Sequence, residues 1–289
     1  MTPTRKVLCL GALVLLPLAA IGEDLLRFEN VELLPADWAD GDSFPVRFPD
    51  GEERTLRLYG ADCIEWHIGD ESDARRLRAQ RRYFGITDAG GSTSASIGLA
   101  TGFGRQAADV TRELLARPFV VHTAFADARG DGRYKRIYAF VTTADGQDLA
   151  QELVSRGLAR AFGVYRSAPG GISHKEYQAR LEDAELVAAR KGLGAWELTD
   201  WASLPRERSE QRSEEGDIEI ALGSSPPDSP IDPNTAARDE LMRIPGIGES
   251  TANAIIEARP FSTRNDLLRV RGIGPATLEK ISPFLKLPK

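Results

Sequence analysis

A stretch near the C-terminus repeats itself, and the repeat confines the last quarter of the chain to one kind of structure. Residues 241–255 (LMRIPGIGESTANAI) and 267–281 (LLRVRGIGPATLEKI) share leucine, arginine, an aliphatic residue, Gly-Ile-Gly, threonine and isoleucine at a constant offset of 26 residues, 267 − 241. Each copy reads as a short helix, a Gly-x-Gly turn and a second helix. The glycines Gly246, Gly248, Gly272 and Gly274 permit a tight turn around Ile247 or Ile273. Backbone amides there, with the N-terminus of the following helix, point outward at an anion. Arg243, Arg269, Arg271 and Lys280 surround the two turns, and Glu249 and Glu279 dilute the positive patch.

A chain of 289 residues exceeds the common single-domain size, so two folded units with connecting segments are expected, and a hydrophobic content of 42% is enough for real cores. Residues 205–230 (PRERSEQRSEEGDIEIALGSSPPDSP) are rich in Glu, Ser and Pro with little to bury, so 204–230 reads as a disordered acidic linker. Its charge repels nucleic acid. The net charge of −6 does not exclude phosphate binding elsewhere, because binding follows the local field and the linker holds much of the excess. The start, MTPTRK followed by the 14 residues VLCLGALVLLPLAA, has a basic region, an apolar run and small residues at Ala20 and Gly22. It reads as a secretory signal over 1–22, giving a secreted or periplasmic protein with no stable membrane span after cleavage. The competing reading is an uncleaved anchor, against which Gly11 and Pro17 interrupt a run already short for a bilayer. Cys9 leaves with the signal, so Cys63 stands alone and no intrachain disulfide forms. His67, His122 and His174 lack ligand spacing; His67 lies two residues after Glu65.

The chemistry gathers between Asp40 and Glu65. DGDSF (40–44) is a turn sequence leading into a strand, and RLYGADCIE (57–65) reads as a second strand with Leu56, Leu58 and Cys63 on one side and Arg57 and Tyr59 on the other. Asp62 and Glu65 fall on its exit turn, and Asp42 sits beside Asp62 if the strands are neighbours. Hard oxygen donors at a loop suit Ca²⁺ or Mg²⁺, and a nearby arginine suits a phosphate.

These residues resemble the staphylococcal nuclease-like (thermonuclease) domains. Residues 131–141 (DGRYKRIYAFV) look like that family's strand with a second arginine, and 153–161 (LVSRGLARA) and 184–196 (AELVAARKGLGAW) look like its closing helical segments. The resemblance spans roughly 26–203, and the segments recur in order. It implies that Asp42 and Asp62 bind the metal with the Cys63 backbone carbonyl, where a change of side chain matters little. It also implies that Glu65 is the general base, and that Arg57 and Arg136 stabilise charge on the phosphoryl oxygens. Arg133, three residues earlier, is the alternative to Arg136. The metal implied is Ca²⁺, with Mg²⁺ possible; no small-molecule cofactor is implied. The repeat in turn looks like a tandem helix-hairpin-helix domain of the competence-receptor type, a match that IDPNTAARDEL (231–241) strengthens. Gly246-Ile247-Gly248 and Gly272-Ile273-Gly274 would grip duplex phosphates without reading bases, with Arg243, Arg269 and Arg271 beside them.

The expected fold is α+β. An OB-fold-type five-stranded β-barrel with packed helices spans 23–203, its strands near 28–34, 43–48, 54–59, 119–125 and 136–142, and a small all-α domain spans 231–289. Residues 66–103 depart from the compact family pattern with a basic stretch, ARRLRAQRRYFGI (74–86), and a Gly/Ser/Thr-rich run, AGGSTSASIG (89–98). They read either as a flexible lid or as a surface helix with a loose loop. The expectation is a secreted metal-dependent nuclease acting on DNA, with RNA as a second candidate substrate, and with a sequence-independent DNA-binding module. The alternative is an exported DNA-binding or uptake protein whose barrel has lost catalysis.

Overall fold

The computed structural model describes residues 25–126, 128, 136–221, 229–236 and 238–287. The signal sequence read over 1–22, Cys9 and the alternative arginine Arg133 lie outside the described residues.

The strands are β1 (Leu26–Leu33), β2 (Ser43–Arg47), β3 (Glu53–Leu58), β4 (Ala61–Cys63), β5 (Phe119–Thr123), β6 (Arg136–Thr142) and β7 (Ala159–Ala161). Five of them close into a barrel in the order β1-β2-β3-β6-β5, while β4 and β7 form a separate pair. Alternation places the core: in β3, Leu56 and Leu58 are buried and Arg57 is not. Val31, Phe44, Val46, Phe119, Val121, Ala139 and Val141 fill the rest. The five barrel strands fall where the sequence places them, within two residues at each end. Tyr59 corrects the expected facing. β3 stops at Leu58, and Tyr59 turns inward before Gly60 (φ 71°), stacking on Tyr138 at 5.0 Å between ring centroids.

Of the two readings of 66–103, the helix of the second holds, while the lid and the loose loop do not. Helix α1 (Glu71–Phe84) is closed at its start by a capping box of Asp70 and Asp73 and at its end by Gly85 in the left-handed region. It buries Leu77, Gln80, Arg81 and Phe84. The Gly/Ser/Thr-rich run is a single turn, Ala89–Gly91, followed by the start of α2 (Thr93–Leu114), whose first amides are capped by Ser92. Small residues Ala100, Gly104, Ala107 and Ala108 let α2 lie close to the barrel. A Cβ at Gly104 would stand 2.3 Å from the Ile64 carbonyl oxygen. The segment is therefore packed wall rather than lid or loose loop.

Helices α3 (Leu149–Ser155) and α4 (His174–Lys191) complete this part. Residues 153–161 are helical only at their start, because Gly157 (φ 68°) ends the helix and the chain continues into β7. The expected disordered linker also needs correction: α5 (Leu204–Ala221) is helical over most of it. Its charges complement α1. Glu214 pairs with Arg78 and Arg82, and the Arg208 guanidinium donates to the Tyr83 carbonyl at 2.9 and 3.0 Å while lying over the Tyr83 ring. Residues 222–228 lie outside the described residues.

Helices α6 (Arg238–Leu241), α7 (Glu249–Glu257) and α8 (Pro275–Ile281) surround a second core of Leu241, Ile244, Ile247, Ile255, Leu267, Val270, Ile273 and Ile281. Asn234 fastens its opening segment, donating to the Phe261 carbonyl at 2.8 Å and accepting from the Phe261 amide at 2.6 Å. Among the described residues no helix is long and apolar enough to cross a membrane.

Candidate functional site

Strand register assembles the barrel site. β2 and β3 are antiparallel with Ser43 opposite Arg57, and β3 runs parallel to β6 with Arg57 opposite Tyr138. Asp42, one residue before β2, therefore meets Arg57, whose Nη1 lies 2.9 Å from Asp42 Oδ1 while Nη2 donates to Asp62 Oδ1 at 2.6 Å. The β4–β7 register sets Asp62 opposite Arg160, and Arg160 Nε donates to Asp62 Oδ2 at 2.7 Å. The two aspartates are only 1% and 4% exposed. Asp42 Oδ2 accepts the Cys63 amide at 2.5 Å, which ties the two strand ends together.

Glu65 leaves β4 towards α1, where Arg76 Nε donates to its Oε1 at 2.6 Å. Gln80, one turn further along the same helix face, donates to Asp62 Oδ2 at 3.0 Å and to the Cys63 carbonyl at 2.7 Å, and accepts the Glu65 amide at 2.8 Å. Arg136, at the start of β6, reaches Ser43 Oγ at 3.5 Å through Nη1, and its Nε is shielded from solvent with no acceptor. Asp40 Oδ1 accepts the amides of Ser43 at 2.7 Å and Asp42 at 3.3 Å.

Asp42, Arg57, Asp62, Cys63, Glu65 and Arg136 thus converge, as the sequence order suggests. Four further residues join them. Asp40 reads from the sequence only as a turn former, Arg160 lies in a segment that reads as helix, and Arg76 and Gln80 are hidden in a basic stretch. The available signal was their i, i+4 spacing, which puts both on one face of a helix.

Burial pushes the Asp40 carboxyl well above its usual range, and the neighbouring Asp42 and Glu65 charges add to this. Burial likewise raises Glu65, although Arg76 opposes it. Burial alone would raise Asp62, but Arg160 and then Arg57, with the Gln80 hydrogen bond, hold it below the ordinary range. Burial and the Arg57 charge lower Arg136. The Cys63 thiol is raised by burial and by Asp42, so it is an inert thiol.

Among the described residues no three His, Cys, Asp or Glu side chains form a ready-made metal cluster. Arg57, Arg160 and Gln80 occupy much of the donor capacity of Asp42 and Asp62. The chemistry of the set nevertheless fits a hard cation. All its donors are oxygens, each with a second lone pair. Beside Asp40 a cleft of about 730 Å³ opens between residues 32–40 and α2, with Trp66, Thr111 and Leu115 in its wall.

In the second unit, Gly246 and Gly272 take φ of 97° and 93°, the left-handed turn that the repeat demands. Gly248 and Gly274 are the N-caps of α7 and α8, and Ile247 and Ile273 plug the turns from beneath. Arg269 is held within the fold: its guanidinium donates to the Ala258 carbonyl at 2.9 Å, also bonds the Pro260 carbonyl, and lies over Phe261. Arg243, Arg271 and Lys280 are exposed and enter no ion pair among the described residues.

Residues 56–198 match the family model described as staphylococcal nuclease homologue, and residues 227–286 match the helix-hairpin-helix motif. The first match begins after the Asp40–Asp42 turn, which the barrel brings back to the matched segment. A search of curated proteins found no significant match.

Proposed function

We propose that this chain, which carries a staphylococcal nuclease-type domain ahead of a helix-hairpin-helix motif, is a metal-dependent phosphodiesterase that cuts DNA while the hairpins hold the duplex. One observation carries the reading. Three buried acids, Asp42, Asp62 and Glu65, with the half-buried Asp40 beside them, gather with Arg136, a cation whose Nε has no partner among the described residues.

Each residue has a role that its surroundings support. Asp42, Asp62 and the Cys63 carbonyl would hold Ca²⁺, with Asp40 adjacent; Mg²⁺ is the second candidate. When bound, the cation would offset charge on a phosphate oxygen and draw the substrate to the acids. Glu65 takes a proton from the attacking water as the water oxygen bonds to phosphorus. Arg136, with donors to spare, stabilises the growing charge on the phosphoryl oxygens, and Arg57 supports it while bridging Asp42 and Asp62. By the family resemblance the P–O5′ bond breaks and leaves a 3′-phosphate end. RNA has the same scissile group and is a further candidate substrate. The signal read at 1–22 supports export to the periplasm or the medium, and N-terminal sequencing of the mature protein tests it.

The deciding experiment incubates the purified protein with plasmid DNA in Ca²⁺, in Mg²⁺ and in chelator, beside Asp42→Ala. Metal-dependent cutting that vanishes in the variant is expected. DNA binding with no cutting in either metal would reject the nuclease and leave an exported DNA-binding protein.

A further inference from the structure

Among the described residues, Gln80 is the one wholly buried neutral polar side chain that touches three site residues at once. Its exposure is 0%. A primary amide offers two N–H donors and a carbonyl acceptor, and here all of them are engaged. Nε2 donates to Asp62 Oδ2 at 3.0 Å and to the Cys63 carbonyl at 2.7 Å, and Oε1 accepts the Glu65 amide at 2.8 Å. The orientation is dictated by its partners, because a flipped amide would set its oxygen against two acceptors and its N–H₂ against an N–H.

From this geometry we infer that Gln80 is a positioning residue for cation binding, gathering the Asp62 carboxylate and the Cys63 carbonyl into a ready donor pair. The inference rests on the reading of these two groups as metal ligands. Its physical content is that both oxygens lie within 3.0 Å of one nitrogen and are therefore neighbours before any ion arrives. Without that nitrogen, two electron-rich oxygens at the end of a three-residue strand would drift apart or find other donors. The third bond, to the Glu65 amide, carries the same constraint two residues further, across the turn that leads to the general base. Arg76, one turn earlier on the same face, holds the Glu65 carboxylate from the side.

A purely packing role is a poor account of this residue. Burying an amide on the helix that also buries Leu77 and Phe84 gains nothing over burying a methionine unless its hydrogen bonds matter. Partners of this kind commonly change metal affinity or activity by about 10–100-fold when removed.

The test uses the full chain and two variants. Gln80→Met keeps the volume and removes both donors and the acceptor; Gln80→Leu does the same with a different shape, should the first fail to fold. Ca²⁺ alone is titrated by calorimetry, cleavage is followed at varied DNA concentration, and thermal unfolding reports the folded fraction. The expected result is a loss of Ca²⁺ affinity of about 10-fold or more and a comparable fall in kcat, with KM for DNA within about twofold. Hydrogen exchange at the Glu65 amide should quicken in step. A folded variant with Ca²⁺ affinity and kcat within twofold of the parent overturns the inference, as does a loss that only tracks a smaller folded fraction. A parent protein that binds Ca²⁺ without cutting would reject the nuclease reading alone, leaving Gln80 to be judged by affinity. A parent that does not bind Ca²⁺ overturns the inference, and one that in addition cuts in neither Ca²⁺ nor Mg²⁺ overturns both.

Discussion

In the barrel, Asp42 and Asp62 are 1% and 4% exposed and share one guanidinium; in the hairpins, Arg243, Arg271 and Lys280 stand in solvent, and the turns offer backbone amides rather than side chains. The contrast is between charge fixed inside a low-dielectric site and charge left outside. Charge of the first kind is held in place before any ligand arrives. Charge of the second kind is screened, adaptable and suited to any phosphate that comes near. The barrel needs many long-range contacts to build one site, whereas the helices of each hairpin lie within 20 consecutive residues, 238–257 and 264–281.

Substitutions should separate the two regions. The largest effect is expected from Glu65→Gln, with turnover falling about 10²–10⁴-fold while DNA affinity holds; steady-state cleavage beside a gel-shift titration reads both, and unchanged turnover would remove Glu65 as the base. Next, Arg160→Met leaves the buried Asp62 short of a cation and should cost about 3 kcal/mol, visible in denaturant unfolding of the barrel but not of the hairpins. Smaller still, Arg243→Ala with Arg271→Ala should lower the slope of log affinity against log salt by about 2, at about 0.9 per phosphate contact, with kcat at saturating DNA unchanged. An unaltered slope would show that these arginines do not meet the duplex. The smallest effect concerns pH in the hairpin unit. Backbone amides of Thr263 and Ser262 hold the Asp266 carboxyl below its ordinary value. A lowered folded value means stability present above the ordinary carboxylate range and lost as pH falls through the folded one. Asp266→Asn should therefore flatten the acid limb of hairpin unfolding and leave that of the barrel alone.

How far the sequence speaks differs between the regions for the same reason. The hairpins are local, so Gly-Ile-Gly, its periodic aliphatic residues and Asn234 in the opening segment announce nearly everything. The barrel strands announce themselves by alternation, and Asp42, Arg57, Asp62, Glu65 and Arg136 by order. Gln80 and Arg160 do not, because a glutamine on a basic helix and an arginine after a glycine acquire meaning only from residues 18 and 98 positions away. The α5 segment misleads for a related reason. Its composition is that of a solvated chain, and what orders it is the arginine-rich face of α1, a partner more than a hundred residues upstream.

The pairing of Asp62 with Arg160 has a consequence for how the molecule folds. A slip of one residue between β4 and β7 would turn every side chain of the pair to the opposite face. Asp62 would then be parted from Arg160, one of the two cations that balance it, a fault costing several kcal/mol. The ion pair that shapes the site thereby also proofreads the sheet, so that a molecule in the wrong register cannot settle into a stable, silent decoy.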